Sequence, residues 1–185
     1  RLSFLVFIII LGLESARQAV ASLKKGRRIE ELEQFALNDS MTGFYNRNAY
    51  DYFIYNEKNI KNYMVVTFDL NNLKMCNDNY GHSSGDAYII HSAHIIETTF
   101  DRFGKCYRIG GDEFCCLIPD AAEFQIERFI QKMQQDIAIL NNKNIIPTEV
   151  GIACGYALAT PDDADIEKVR ERADEMMYHN KKVLK

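Results

Sequence analysis

The stretch Tyr107–Leu117, YRIGGDEFCCL, places two adjacent carboxylates, Asp112 and Glu113, between two apolar runs. The pair Gly110-Gly111 before them is typical of a tight β-hairpin, since glycine readily supplies the positive φ angles that such turns need. The sequence therefore predicts a hairpin with a charged tip. Carboxylates on a rigid turn can hold a divalent metal or accept a proton, and an acidic turn that only contacts solvent is the alternative.

A second acidic segment lies upstream, at residues 65–86, VVTFDLNNLKMCNDNYGHSSGD. Its apolar run ends at Asp69, and we expect a polar loop to follow and to lead into a helix. A strand that delivers one carboxylate into a loop rich in Asn and Gly resembles the start of many sites for Mg²⁺ and phosphate. Because Mg²⁺ typically binds through one or two protein carboxylates plus phosphate oxygens, Asp69 with Asp112 and Glu113 is sufficient if the two strands are neighbours.

Four segments of the chain match one known family in order and in spacing. They are residues 39–47 (DSMTGFYNR), 69–86, 108–114 (RIGGDEF) and 173–181 (ADEMMYHNK). Together they resemble the GGDEF family of diguanylate cyclases over residues 38–185. The resemblance implies a reaction in which two GTP molecules, one held by each of two facing domains, condense into cyclic di-GMP with release of two pyrophosphates.

The resemblance also implies a metal site for Mg²⁺, with Mn²⁺ as an alternative. Asp69 and Glu113 are the first choices as metal ligands, and the Leu70 carbonyl is the expected backbone ligand. Asp112 either shares the metal or helps to deprotonate the attacking 3′-hydroxyl. In phosphoryl transfer the protein supplies mainly positioning and charge neutralisation, so Asp112 and Glu113 are the expected catalytic residues.

Basic residues match the phosphate-contacting positions of the family. Lys181 lies on the last predicted helix, and Lys185 lies just beyond it. Lys74 adds positive charge near the phosphates or has a surface role instead. These three lysines are the expected phosphate-binding residues.

Guanine recognition maps onto Asn77 and Asp86. An amide both donates and accepts hydrogen bonds, and a carboxylate accepts from the ring N–H and the exocyclic amine of guanine. Adenine lacks that pair of donors, so Asp86 favours GTP over ATP, because a wrong base would leave a buried carboxylate unpaired. His82 matches a position near the nucleotide loop, where a loop-orienting hydrogen bond is favoured over a role as general base. A cyclase that also accepts ATP and makes a mixed dinucleotide is a weaker alternative.

The product-inhibition motif of many family members, Arg-x-x-Asp, is not matched. Its positions, counted back from Gly110, hold Asp101 and Gly104. We therefore expect no product-inhibition site and at most weak inhibition by cyclic di-GMP. Asn71 also stands where the family often has a second Asp, which removes a charge near the site but none of the expected ligands.

Composition indicates one globular domain without a nucleic-acid surface. The chain has 22 basic and 26 acidic residues and a net charge of −4, and no basic stripe interleaved with aromatic residues occurs in it. A nucleic-acid polymer is therefore not an expected partner. The five cysteines lack CxxC spacing and lie mostly in apolar runs, so we expect buried reduced thiols.

An apolar run at residues 2–13, LSFLVFIIILGL, is shorter than the roughly 20 residues that span a bilayer. Four basic residues follow between 24 and 28, as is typical of the cytoplasmic side of a membrane helix. We expect residues 1–13 to be the end of a transmembrane helix that upstream residues complete, which tethers a cytoplasmic catalytic domain to the inner membrane. A coiled-coil interface and a signal-peptide remnant are the alternatives.

Residues 14–38 are polar and almost free of helix breakers, so they predict a helix. Its two apolar stripes do not share one heptad register, and a continuous coiled coil would need a phase shift between them. The segment is either a signalling helix in a parallel dimer stalk, fed by an upstream sensor, or a solvated linker. The GGDEF domain then spans residues 39–185.

The periodicity of the remaining chain predicts a fold of the α/β class, an α+β sandwich in which helices flank a central, mostly antiparallel sheet. This is the palm-like fold that the GGDEF resemblance implies, and both acidic positions are expected at one edge of its central strands. Predicted helices cover residues 47–60, 85–100, 121–140 and 166–182, and predicted strands cover 63–70, 105–109, 113–118 and 149–157.

Two classes of function follow from these observations. The first is a diguanylate cyclase that works as a homodimer through its GGDEF domains and N-terminal helix. Its activity should then rise with protein concentration. The alternative is a catalytically inactive module that binds GTP or another nucleotide and serves dimerisation or signalling.

Overall fold

The computed structural model describes residues 36–57, 61–121 and 125–183, together with six helical positions at 12, 14, 15, 17, 18 and 20. The chain divides into two compact units, Arg1–Ala36 and Leu37–Lys185, and the fold below is that of the second unit. The predicted membrane segment lies outside the described residues apart from residue 12, and most of the predicted linker helix lies outside them as well. Within the described ranges, no helix is long and apolar enough to cross a membrane.

Four antiparallel strands form one sheet in the order β2-β3-β1-β4. The strands are β1 (Met64–Asn71), β2 (Lys105–Arg108), β3 (Glu113–Ile118) and β4 (Gly151–Leu158). The central strand β1 pairs with β3 on one side and with β4 on the other. The predicted α+β class and antiparallel sheet are therefore confirmed.

Helices cover both faces of the sheet. They are α1 (Arg47–Asn56), α2 (Leu73–Tyr80), α3 (His82–Phe100), α4 (Ile126–Asn142) and α5 (Ile166–Val183). We call the face covered by α2, α3 and α4 the α3 face, and the face covered by α1 and α5 the α5 face. Each face encloses its own hydrophobic cluster.

The alternation of strand side chains produces these two clusters. In β1, Val66, Phe68 and Leu70 belong to the larger cluster on the α3 face. Val65 belongs to the smaller cluster on the α5 face, where α5 contributes Ile166, Val169 and Ala173 (0–1% exposed). All five cysteines are buried and free, as expected.

Most predicted element boundaries lie within two residues of the observed ones, with three exceptions among the helices, of which the start of α3 is described with α2 below. The helix predicted to reach residue 60 ends at Asn56, because Glu57 has extended backbone angles. It begins where the Asn46 side chain accepts a hydrogen bond from the Ala49 amide at 3.1 Å, a typical N-cap. The helix predicted from residue 121 begins at Ile126.

The prediction of a polar loop after Asp69 is wrong. Residues Leu73–Tyr80 form the helix α2, and α3 begins at His82 rather than at residue 85. Leu73 and Cys76 are buried one turn apart on α2, so the segment gains enough apolar contact to be helical despite its polar composition. Gly81 separates the two helices with a φ of +83°, a conformation that glycine adopts without steric cost.

Candidate active site

The two acidic segments meet at one edge of the sheet. Asp69 of β1 is the register partner of Glu113, the first residue of β3, and the Leu70 amide donates to the Asp112 carbonyl at 3.0 Å. Directly opposed residues in an antiparallel pair point to the same face with Cβ atoms about 5 Å apart. Asp69 is half-buried and Glu113 is exposed. The fold thus brings two carboxylates side by side on the α5 face.

The hairpin tip is tight for a different reason from the one predicted. Ile109 and Gly110 both donate their amides to the Glu113 carbonyl, at 3.0 and 3.2 Å. Neither Gly110 nor Gly111 has a positive φ, so the expectation based on backbone angles is wrong. A Cβ on Gly110 would lie 2.9 Å from Glu113 Oε2. Gly110 therefore makes room for the Glu113 carboxylate, whereas nothing crowds Gly111.

Arg108 links the hairpin tip to Asp39, near the start of the domain. Its guanidinium donates to the Asp39 carboxylate at 3.1 Å and to the Gly111 carbonyl at 2.8 Å. Burial opposes a charged Asp39, but hydrogen bonds from Thr42 and Arg108 outweigh it and lower the pKa of Asp39 below its ordinary value. Neither Arg108 nor Asp39 is among the site residues predicted from the sequence, although both lie in the family-matching segments and carry opposite charges.

Lys181 of α5 pairs with Asp69 at the same edge. The helix approaches the sheet closely at Gly155 of β4, where a Cβ would collide with the backbone of Ala173 and Met177. Beside Lys181, the Asn180 side chain donates to the Cys154 carbonyl at 2.9 Å. These contacts position the C-terminal turns of α5 over the end of β1.

A second ion-pair group lies on α5 three turns upstream of Lys181. Arg170 contacts Glu167 and Asp174, each at 2.8 Å, and its side chain is 22% exposed. Burial raises the pKa of Asp174, and Arg170 partly offsets that rise. The pairs stay within one helix, so they support α5 rather than the acidic edge directly.

The predicted guanine-recognition residues lie on the helix pair that follows β1. Asn77 is half-buried on α2, and its side chain packs against Gly85 of α3, where a Cβ would overlap it. Gly85 directly precedes Asp86, which is exposed. Asn77 and Asp86 therefore border the same helix junction. Lys74 and His82 are also exposed, near the starts of α2 and α3.

The family model described as "Diguanylate cyclase, GGDEF domain" matches residues 36–184. The chain belongs to the GGDEF diguanylate cyclase family. Two curated relatives are similar to this GGDEF chain. Diguanylate cyclase DgcN of Escherichia coli is 31% identical over 157 residues, which cover 82% of this chain and 38% of DgcN. Diguanylate cyclase DgcS of Shewanella oneidensis is 26% identical over 168 residues, which cover 86% of this chain and 54% of DgcS.

A solved structure supports the fold of the GGDEF domain. The crystal structure of the coiled coil and GGDEF domain of DgcB from Caulobacter crescentus, in complex with c-di-GMP, has a TM-score of 0.76 at 23% identity. The match covers 91% of this chain and 94% of that one. At this identity the likeness shows the fold alone. The chain spans no more than about half the length of the two curated relatives.

The remaining predicted site residues fall in different parts of the chain. Lys185 lies outside the described residues. Asp101 follows the last turn of α3, and Gly104 lies so close to the Leu117 backbone that a Cβ there would collide with it. An Asp at that position would need a backbone shift. The absence of a product-inhibition site stays a prediction.

Proposed function

We propose that this chain is a Mg²⁺-dependent diguanylate cyclase, which condenses two GTP molecules into cyclic di-GMP and two pyrophosphates. The observation that carries the proposal is the register pair Asp69 and Glu113 at the end of the central ladder, with Lys181 beside it. Membership of the diguanylate cyclase family supports the reaction class. The relatives' names add that DgcN and DgcS are diguanylate cyclases.

The residues at this edge fit Mg²⁺ that arrives with a nucleotide. No group of three or more His, Cys, Asp or Glu side chains is arranged for a metal among the described residues. Mg²⁺ with a nucleotide needs only one or two carboxylates, because phosphate oxygens and water complete its shell. Asp69 and Glu113 would supply the carboxylates. The Leu70 carbonyl would be the backbone ligand, since amide and carbonyl of a strand residue face the same neighbour and the Leu70 amide faces the hairpin.

Mn²⁺ is an alternative ion because it prefers the same oxygen ligands. When bound, the metal would neutralise charge on the phosphates of GTP. Asp112 would share the metal or accept the proton of the attacking 3′-hydroxyl, and Glu113 would act with it as the second catalytic carboxylate. The structure holds the backbone of Asp112 against β1 through the hydrogen bond from Leu70.

The reaction needs two copies of the domain. The 3′-hydroxyl oxygen of one GTP forms a bond to the α-phosphorus of the other, the bond to pyrophosphate breaks, and pyrophosphate leaves with its electron pair. A second attack in the opposite direction closes the ring. Each domain would hold one GTP, so a homodimer through the GGDEF domains, supported by the N-terminal helix, is part of the proposal.

Binding of GTP is assigned to two groups of residues. Lys181 would contact the phosphates together with Lys185, and Lys74 would add positive charge near them. At the helix junction, the guanine edge would bind Asn77 and Asp86, with His82 orienting the loop. The contact between Asn77 and the backbone at Gly85 supports this assignment, because it leaves Asn77 next to the residue that precedes Asp86.

The organisation of the longer protein is also a proposal. We propose that residues 1–13 end a membrane helix, that 14–38 form a signalling helix, and that 39–185 form the catalytic domain on the cytoplasmic side. An upstream sensor or membrane segment would control dimerisation. Membrane fractionation of the protein with and without residues 1–13 tests the tether.

The test of the reaction compares GTP, ATP and their mixture with the purified chain at rising protein concentration. We expect cyclic di-GMP from GTP, two pyrophosphates per product, a rate per chain that rises with concentration, and no product in EDTA. Asp86→Asn should reduce the preference for GTP. Asp51→Asn is the matched control, because its carboxylate is 56% exposed on α1 and pairs with Arg47 rather than with a residue of the acidic edge.

The contrary result is a folded, dimeric chain that makes no product from GTP at any concentration. Nucleotide binding without turnover would then favour the inactive binding and signalling module. A mixed dinucleotide from GTP and ATP would instead show that Asp86 does not exclude adenine.

A further inference from the structure

The ion pair between Lys181 and Asp69 has a consequence for metal binding. Lys181 is 28% exposed and Asp69 16% exposed at their side chains, so the pair is only partly in contact with water. The ammonium contacts Asp69 Oδ1, an oxygen of the carboxylate that the proposed metal site needs. Lys181 therefore has two negative partners: the Asp69 carboxylate, which it contacts here, and a substrate phosphate, which it would contact in the proposed function.

A lysine ammonium and a divalent cation compete for the same carboxylate. Both are attracted to its oxygen lone pairs, and they repel each other at short distance where solvent screening is weak. A metal ion that binds alone must therefore either displace Lys181 or accept its positive charge nearby. The helix contacts at Gly155 and Asn180 keep the Lys181 backbone at this edge, so the ammonium stays within reach of Asp69.

A triphosphate removes this competition. It offers several anionic oxygens to the ammonium, and hydrogen bonds between a lysine and phosphate are strong because both groups are charged. Once Lys181 contacts phosphate, Asp69 is free for the metal that the phosphates bring with them. Metal and nucleotide then favour each other's binding through one side chain, a coupling that is reciprocal by thermodynamic linkage.

We propose that Lys181 is an exchangeable counter-ion. Its ammonium weakens the binding of divalent metal to Asp69 until a nucleoside triphosphate binds the ammonium instead. The inference rests on the proposed function for the identity of the nucleotide, but the exchange itself concerns only Lys181, Asp69 and a metal. Lys181 is in this respect a positioning residue that sets the order of binding.

The first test measures binding of Mn²⁺ alone, by the loss of its free paramagnetic resonance signal, to the nucleotide-free chain. Removing the competitor should tighten binding, so we expect Lys181→Met to bind Mn²⁺ at least about fivefold more tightly than the wild-type chain. Lys168→Met is the matched control, because it removes the same charge from α5 at an exposed position paired with Glu171. Its affinity should stay within about twofold of wild type.

Two further variants check that a gain in Mn²⁺ affinity depends on Asp69 and not on the choice of replacement side chain. Asp69→Asn added to Lys181→Met should abolish the gain, because the gain depends on the freed carboxylate. Lys181→Gln serves as a second, hydrophilic replacement, and circular dichroism checks that each variant is folded. Equal or weaker Mn²⁺ binding in both Lys181 variants overturns the proposal, as does a gain that persists without Asp69.

The second test measures binding of GTP in excess EDTA. Loss of the ammonium should weaken binding at least about fivefold in Lys181→Met, whereas Lys168→Met should be unchanged. Unchanged affinity in Lys181→Met overturns the exchange. The two proposals fail separately: an inactive chain with both shifts refutes the cyclase alone, and an active chain without them refutes the counter-ion alone.

Discussion

The two faces of β1 differ, although one strand supplies both. On the α3 face, Val66, Phe68 and Leu70 stay apolar to the end of the strand. On the α5 face, the side chains change from Val65 through Thr67 to the half-buried Asp69 as the strand approaches the hairpin tip. Successive strand residues point to opposite faces, so a change of chemistry along one face leaves the other intact.

Neighbouring residues of β1 should therefore affect different properties, either the stability of the fold or the proposed chemistry. Substitutions on the α3 face should cost free energy of unfolding, because they remove buried apolar contacts. Substitutions of the charged residues at the end of the α5 face should cost the proposed activity and little stability, because they remove few buried apolar contacts. Variants on the two faces of β1 test this separation.

The largest expected effect on stability is at Phe68. Its ring is 1% exposed and lies 5.3 Å from the Phe100 ring, centroid to centroid. Phe68→Ala should lower the free energy of unfolding by about 4 kcal/mol, because it removes buried area and leaves a cavity. Urea denaturation followed by circular dichroism measures it. Asp69→Ala, one residue along, should cost about 1 kcal/mol, because its pair with Lys181 is partly buried. Equal costs at Phe68 and Asp69 would contradict the difference between the two faces.

The next effect is at Gly155, where α5 contacts β4. Gly155→Ala should lower the free energy of unfolding by about 2 to 3 kcal/mol, because the added Cβ forces the helix away from the sheet. The same shift moves Lys181, so the metal and nucleotide effects proposed for that residue should weaken as well. Gly111→Ala is the control, since its Cβ would meet open space. A Gly155→Ala chain as stable as wild type would show that α5 adjusts freely.

A smaller effect is expected where α3 secures the ends of β1 and β4. The Tyr88 hydroxyl donates to the Asn71 carbonyl and accepts from the Gly151 amide, both at 2.7 Å. Tyr88→Phe leaves the Asn71 carbonyl and the Gly151 amide without that partner and should cost about 1 to 2 kcal/mol of unfolding free energy. Tyr52→Phe, on a side chain that is 68% exposed, should cost nothing measurable. Thermal unfolding of the two variants under identical conditions compares them.

The smallest effect concerns two Asp–Arg pairs that differ in burial. The side chains of Arg108 and Asp39 are 11% and 23% exposed, whereas those of Arg47 and Asp51 are 53% and 56% exposed. Asp39→Asn should cost about 1 kcal/mol at neutral pH, and Asp51→Asn less than about 0.5 kcal/mol. Equal losses would show that burial does not strengthen the Asp39 pair.

Asp39 also predicts a pH dependence. Its pKa is lowered in the folded state, so the contribution to stability is complete above the ordinary pKa of 3.8 and is lost as the pH falls through the folded value. Asp39→Asn should therefore flatten the fall in unfolding free energy in that acidic range. Urea midpoints measured at a series of acidic pH values report it, and parallel curves for both chains would contradict it.

The sheet and most of its helices could be predicted from periodicity, because apolar runs and turn residues mark them directly. The hairpin at residues 107–117 follows from local sequence alone. Helix α2 could not be predicted in this way, since only Leu73 and Cys76 are buried on it and its polar residues are common in loops. Its helical form depends on packing against α3 and the sheet, which one segment does not reveal.

The acidic edge was predicted as two acidic positions at one edge of the central strands, but the pairing of individual residues was not predicted. Asp69 and Glu113 are register partners because β1 pairs with β3, and no local sequence pattern specifies this pairing. The contacts of Arg108 with Asp39 and of Lys181 with Asp69 join residues far apart in the chain. Such ion pairs follow from tertiary geometry, and opposite charge in the matched segments was the only sequence signal for them.

The decisive measurement is Mg²⁺-dependent formation of cyclic di-GMP from GTP at high protein concentration by three chains: wild type, Asp69→Ala and Glu113→Ala. We expect product from wild type and a loss of at least about a hundredfold in each variant. Circular dichroism should be unchanged, and the unfolding free energy should stay within about 1 kcal/mol of wild type. Folded, dimeric wild-type chain without product, or either variant at near wild-type rate, would contradict the claim that the charged end of the α5 face carries the chemistry.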